Sequence, residues 1–333
     1  MASATLLLPA RDRLAGQALT PIVARALGRA DAIGTGEAGE RAQLLRHFSL
    51  LPAGWPVAAL TRRQDAGDVD SAQWLRADPA WVRPDINGAR LFACGDGLHL
   101  AQEDADALLP ALRPLFGDAG FPIDAPTPSR WYLRLPVATR PLQFPGPDDA
   151  LGTDLFDDLV GVDLVADADV RRWRSLLNEA QVLLHNHPWN ARRAAAGKPP
   201  VNSLWFWGAG VMPDRVSTVH AQVQSDEVLL RSLATAAGLA PLARARGFEP
   251  TAAAALFDLR DARDLAQLQQ DWLQPALDAL RRGRVRQLCL DFGDGSRYRL
   301  TPSQRWRFWR RPLLQLASRH RDEFSDNESD LDA

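Results

Sequence analysis

Residues 178–210, NEAQVLLHNHPWNARRAAAGKPPVNSLWFWGAG, pass from a helical pattern through a polar loop into an apolar run. Upstream and within it, Val170, Trp173, Leu176, Leu177, Ala180 and Leu184 recur at helical spacing. That period predicts a helix capped by Asp167 or Asp169 and stopped by Pro188. Asn202–Trp207 predicts a buried strand, with Trp205 and Trp207 on one face, Phe206 on the other, and a turn at Gly208-Ala209-Gly210. Helix followed by strand across a short loop is the signature of an α/β chain. The loop carries His187, Asn190, Arg192 and Arg193 beside the apolar run, the mixture found on surfaces that receive a ligand.

Each of these side chains has two readings. Two histidines at i, i+2 do not share a helix face, and no thiol or carboxylate accompanies them at ligand spacing. His187 therefore closes the helix onto loop carbonyls, and a metal is not expected there. Arg193 reads as the holder of an anion through a two-pronged guanidinium contact, and Arg192 as a solvated charge or a partner of Glu179. Asn190 and Asn202 would orient the loop or the ligand, so Asn190, Arg193 and Asn202 are expected to share one concave site. Trp205 and Trp207 serve either core packing or an aromatic wall. Gly208 and Gly210 could bring backbone amides to a phosphate, although the third glycine of a dinucleotide fingerprint is missing.

Composition bounds the rest. The 333 residues exceed one small core, and 46% hydrophobic with 24% charged residues is ordinary for a globular protein. Basic and acidic residues total 39 and 41, so no net field draws the chain to nucleic acid or membrane. No run approaches the ~20 apolar residues of a membrane span, and nothing resembles a signal peptide; a soluble, cytoplasmic protein is expected. Cys94 and Cys289 read as reduced buried thiols.

Other elements follow from pattern. A strand is predicted at 4–9 and helices at 16–29 and 42–51, with 52–59 leading into another strand and a turn at Asp78-Pro79. Hairpins are predicted around Gly95-Asp96-Gly97 and Gly293-Asp294-Gly295. A helix with Ala105, Leu108, Leu109, Leu112 and Phe116 on one face should be kinked or broken by Pro110 and Pro114. Residues 136–158 read as a long loop. Near the end, Arg305, Trp306, Arg307, Phe308, Trp309, Arg310 and Arg311 form a basic-aromatic cluster leading into a helical run. It suits single-stranded nucleic acid, or a structural role with Trp306 and Trp309 turned to the core; the second is favoured. The acidic residues 322–333 are expected to be disordered and to screen this cluster.

The spacing H-P-x-N-x-x-R-x-x-x-G-x-x-P-x-N-x-x-W-x-W-G-x-G, His187 to Gly210, resembles archaeal-type cofactor-independent phosphoglycerate mutases of the alkaline phosphatase superfamily. WLRADPAW, PSRWYLRL and LLNEAQVLL are similar to bacterial RpfE-type regulatory proteins, themselves related to those mutases. The resemblance implies an α/β, phosphoglycerate-mutase-like core, here reduced, over residues 1–88 and 211–321. Residues 89–210 would form an inserted α+β domain like the one that helps enclose the phosphorylated substrate. It also implies two metal ions held by Asp and His, and a Ser or Thr that carries the phosphoryl group. The matching patterns are missing: TLLLPARD lacks the Asp-Gly turn, PLQFPGPDDALG has no histidine, and His220 and His320 stand outside any Asp-x-x-x-His pattern. The expectation is a regulatory protein without metal or cofactor, binding a small phosphorylated or carboxylated ligand or a protein partner. A divergent mutase or phosphatase is the alternative, and a nucleic-acid module the third reading.

Overall fold

A computed structural model describes residues 2–85, 88–151 and 168–317. Its strands are β1 (Ser3–Leu8), β2 (Asp31–Thr35), β3 (Phe48–Leu51), β4 (Gln73–Asp85), β5 (Gly88–Cys94), β6 (Ile123–Thr127) and β7 (Arg130–Leu135). They continue with β8 (Ser203–Gly210), β9 (Arg215–Thr218), β10 (Gln222–Gln224), β11 (Ala254–Asp258), β12 (Gln287–Phe292) and β13 (Ser296–Leu300). The helices are α1 (Pro21–Arg29), α2 (Glu40–Leu45), α3 (Val57–Asp65), α4 (Gln102–Asp118) and α5 (Pro147–Ala150). After them come α6 (Ala168–His185), α7 (Trp189–Ala195), α8 (Val228–Ala236), α9 (Leu265–Leu268) and α10 (Gln274–Arg281). The fold is mixed α/β.

The chain divides into two compact units. The first comprises Met1–His47, Thr218–Glu227 and Gly238–Ala333; the second comprises Phe48–Ser217 and Val228–Ala237. The boundary thus falls at Phe48 rather than near residue 89, and 228–237 belongs with the second unit.

The first unit is a six-stranded sheet in the order β10-β11-β1-β12-β13-β2. The four strands β10, β11, β1 and β12 run parallel, and β13 is antiparallel to both its neighbours. Central β1 is apolar on both faces, as a doubly covered parallel strand must be. Ala4, Leu6 and Leu8 join Leu27, Phe257, Trp272, Leu280 and Leu290 in one core. On the opposite face the register sets Leu7 level with Asp258 on one flank and Asp291 on the other. Two carboxylates therefore stand near the carboxyl ends of the two strands that flank β1.

In the second unit the sheet order is β5-β4-β7-β6, with β8 also paired to β4. Helices α4 and α6 cover one face, and Leu108, Leu112, Phe116, Leu133, Trp173, Leu184 and Phe206 fill the core. The predicted apolar faces of both helices are the faces that pack, with only Leu177 left half-buried. Both prolines of α4 are accommodated in an unbroken 17-residue helix, on its exposed side.

Several expectations are corrected. Residues 42–51 split between α2 and β3, and 52–59 lead into helix α3 rather than a strand. Asp78-Pro79 is not a turn: β4 runs 13 residues straight through it. Proline is tolerated there because β7 pairing ends at Arg76 and β5 pairing begins at Ala80, so no donor is needed on that edge. Gly95-Asp96-Gly97 lies in a short 3-10 turn after β5, whose hairpin partner is β4. The hairpin at Gly293–Gly295 forms as expected. Beyond Trp306 the described residues contain no helix. The cap candidate Asp167, the loop's 152–158 segment and the acidic tail lie outside the described residues.

Candidate functional site

Open α/β sheets bind ligands outside the carboxyl ends of their parallel strands. In the first unit that edge is filled by charge pairs internal to the chain. Arg260, two residues beyond β11, holds Asp258 in a fork, with Nε donating to Oδ1 at 2.8 Å and Nη2 to Oδ2 at 2.9 Å. Its Nη1 donates to Glu40 at 2.7 Å and its Nη2 to Glu227 at 3.3 Å. Ser225 Oγ, just past β10, donates to the same Asp258 at 2.7 Å. Burial would raise the Asp258 carboxyl, but the Arg260 charge and these donors outweigh it and hold it below the ordinary carboxylate value.

Asp291 is locked in the same manner. Arg46 donates to both its oxygens, at 3.0 and 2.6 Å, and His47 Nε2 lies 3.0 Å away. Gln43, buried on α2, donates to the Leu8 and Asp291 carbonyls. Burial again works against the charged form; the His47 and Arg46 hydrogen bonds prevail, and the Asp291 carboxyl is lowered.

Beyond His47 the chain of contacts continues: its Nδ1 lies 3.1 Å from His220 Nε2. With the carboxylate as acceptor, His47 carries its proton on Nε2. The two imidazoles share one proton across this contact, and the buried His220 Nδ1 has no partner among the described residues. Burial, then the neighbouring His47, push the His220 pKa down to about 4. A depressed histidine stabilises the fold above its unfolded pKa of about 6.5, and that stability is lost as pH falls toward 4. The loss is on the order of 3 kcal/mol. His220→Gln keeps a donor for His47 without titrating. Urea midpoints between pH 6.5 and 4.5 are expected to fall less steeply in this variant; parallel slopes would show that His220 does not carry the effect.

A two-metal set does not fit this edge. Both oxygens of Asp258 and of Asp291 are committed to guanidinium, imidazole or hydroxyl groups, and β1 is followed by Pro9-Ala10 rather than a carboxylate. Among the described residues no group of three or more His, Cys, Asp or Glu has the arrangement of a metal site.

In the second unit, the loop read as a ligand site spends its polar groups on the protein itself. Arg193 is 2% exposed; Nη1 lies 2.8 Å from an Asp104 oxygen, Nη2 donates to Leu98 O and Nε to Pro199 O. Trp189 Nε1 donates to the other Asp104 oxygen at 2.7 Å. Asn190 donates to Leu184 O and Val201 O and accepts from Val201 N, stitching α6 to the start of β8. Asn202 exchanges both amide hydrogen bonds with the Val82 backbone in β4. His187 Nδ1 accepts from Trp189 N at the start of α7. Trp205 stacks on Phe144 and donates to Pro145 O; Trp207 donates to buried Asp78, which Arg76 grips by both oxygens.

Gly208 and Gly210 lie inside β8, not in a turn. Gly208 has φ +65, and a Cβ there would sit 2.6 Å from Val57; one on Gly210 would sit 2.6 Å from Pro56. These glycines let the start of α3 press against the strand, and the phosphate-turn reading gives way to that packing.

The cluster after β13 is placed otherwise than expected. Trp306, Phe308 and Trp309 are 65%, 78% and 69% exposed, so the indoles do not face the core. Arg305 lies over the Trp306 ring, and Arg307 reaches Asp31 and Arg29 O. Arg310 donates to Ala30 O. The backbone is pinned while the rings point out.

The strand-end residues Asp258, Arg260, Asp291, Arg46, His47 and His220 were not singled out as a site by sequence reasoning. Their available signal was Asp at the end of an apolar run, as in ALFD and LCLDF.

No family model matches the chain. Curated relatives do. A probable 2,3-bisphosphoglycerate-independent phosphoglycerate mutase of Geobacter sulfurreducens is 40% identical over 70 residues, 19% of this chain and 17% of that protein. The corresponding mutase of Methanothrix thermoacetophila is 31% identical over 97 residues, 28% of this chain and 24% of that protein. The chain thus matches no more than about a quarter of either relative's length. Among solved structures, a cofactor-independent phosphoglycerate mutase of Thermoplasma acidophilum aligns over 90% of this chain and 89% of its own, at 14% identity and TM-score 0.41. A Pyrococcus horikoshii protein aligns over 90% and 87%, at 12% identity and TM-score 0.43. No helix among the described residues is long and apolar enough to cross a membrane.

Proposed function

We propose that this chain is a non-catalytic relative of the cofactor-independent phosphoglycerate mutases, acting as an RpfE-type regulatory protein in the cytoplasm. One observation carries the reading: the carboxylates at the ends of β11 and β12 are each neutralised by an arginine of the same chain. Phosphoryl transfer by two cations needs those positions free, because the cations must meet charge on the attacking and leaving oxygens. An internal guanidinium gives the edge its counter-charge with no exchangeable site. The loop of Asn190, Arg193 and Asn202 serves this reading as a rigid support for β8, and the role is exerted through a protein partner or a small anionic ligand. The alternative is a divergent mutase, supported by the 40% identity over a short stretch.

Metal analysis of the purified full-length protein together with a mutase assay separates the two. The expected result is no stoichiometric divalent metal and no conversion of 3- to 2-phosphoglycerate. Two manganese or zinc ions per chain, or conversion abolished by a chelator, would establish the enzyme instead.

A further inference from the structure

A cleft in the first unit, lined by none of the strand-end residues, has the lining of a ligand site. Ile22, Arg25, Ala26 and Arg29 recur at i, i+3, i+4 and i+7, so they share one face of α1, opposite the buried Val23 and Leu27. Leu277, Leu280 and Arg281 of α10 form the facing wall, and Leu300–Pro302, Gln304 and Arg305 close the end. The cavity measures about 260 Å³, just below the usual range of about 300–1,000 Å³ for small-molecule sites.

Its charge is one-sided. Arg281 is paired with Asp278, but no carboxylate among the described residues pairs with Arg25, Arg29 or Arg305. Arg29 Nη1 donates to Arg305 O, whereas its Nε is buried without an acceptor among the described residues. A buried donor left unpaired destabilises the fold, and an anionic oxygen in the cleft would satisfy it. The aliphatic floor calls for an apolar tail on the same molecule, and the small volume for a short one.

We propose that this cleft binds an amphipathic anion, a carboxylate or phosphate head on a short apolar chain, with the head among Arg25, Arg29 and Arg305 and the tail against Ile22, Leu277 and Leu280. The site shares no residue with the strand-end edge, so it holds whether or not the chain is an enzyme.

Calorimetric titration of the full-length protein with octanoate, octyl phosphate, octanol and inorganic phosphate tests it. One equivalent of octanoate or octyl phosphate should bind at least tenfold more tightly than either octanol or inorganic phosphate, and the better of the two heads names the source. The double variant Arg25→Ala/Arg305→Ala should weaken binding at least tenfold at an unchanged urea midpoint. No saturable heat, binding no tighter than octanol or than phosphate, or full affinity in the folded double variant would overturn the site. Should that variant fold poorly, the ligand series on the unaltered protein decides alone.

Discussion

Replacing Arg260 by alanine is expected to destabilise the first unit by about 3–5 kcal/mol at pH 7, the usual cost of breaking a buried charge pair from one side. The reason is the number of acids it serves: Asp258 through both oxygens, Glu40 and Glu227. Without the guanidinium, burial and mutual repulsion raise the Asp258 carboxyl above its unfolded value. A raised folded pKa favours the fold when protonated, so the variant gains relative stability as pH falls. The native protein does the opposite, since its Asp258 is lowered and its contribution fades as pH falls through the folded value. The native contribution is still whole at pH 4.5, so the variant's gain alone should narrow the gap between pH 7 and 4.5. Arg260→Lys should recover only part of the loss, because an ammonium cannot fork across Asp258 while reaching Glu40. Urea unfolding at both pH values measures this. A gap under ~1 kcal/mol, the size of a solvated pair, or one that is the same at both pH values, would remove the argument that Arg260 has replaced exchangeable counter-charge.

Asp104→Asn in the second unit should cost a comparable 3–5 kcal/mol, roughly, by leaving the Arg193 charge buried without a counter-ion. Asparagine retains an acceptor for Trp189 Nε1, so the loss combines the ion pair with the Ala101 N–H bond that the other Asp104 oxygen accepts. The same variant distinguishes support from ligand binding. If Arg193 is a strut, added inorganic phosphate leaves the weakened unfolding midpoint where it is. Recovery of the midpoint by phosphate would show that an external anion can reach Arg193, and would restore the ligand reading of that loop.

Periodicity within one segment was readable without coordinates. The apolar faces of α4 and α6, the strand at 203–207, the strand at β1 and the β12–β13 hairpin all follow from local side-chain spacing and turn residues, which act over a few residues. The motif from His187 to Gly210 likewise pointed to phosphoglycerate-mutase relatives, and the relatives found are such mutases. Tertiary structure decided what the single residues do. Pro79 is a strand residue only because two partner strands leave a gap beside it. Gly208 and Gly210 are packing glycines only because α3 arrives there. Arg193 is a strut because Asp104, 89 positions earlier in the numbering, meets it. The strand-end cluster draws on residues 40–47, 220–227, 258–260 and 291. Charge pairing between such distant segments is a Coulomb and hydrogen-bond matter of a few ångströms in space. A single sequence fixes which groups carry charge; only the parallel register that sets Asp258 and Asp291 beside Leu7 decides which of them meet.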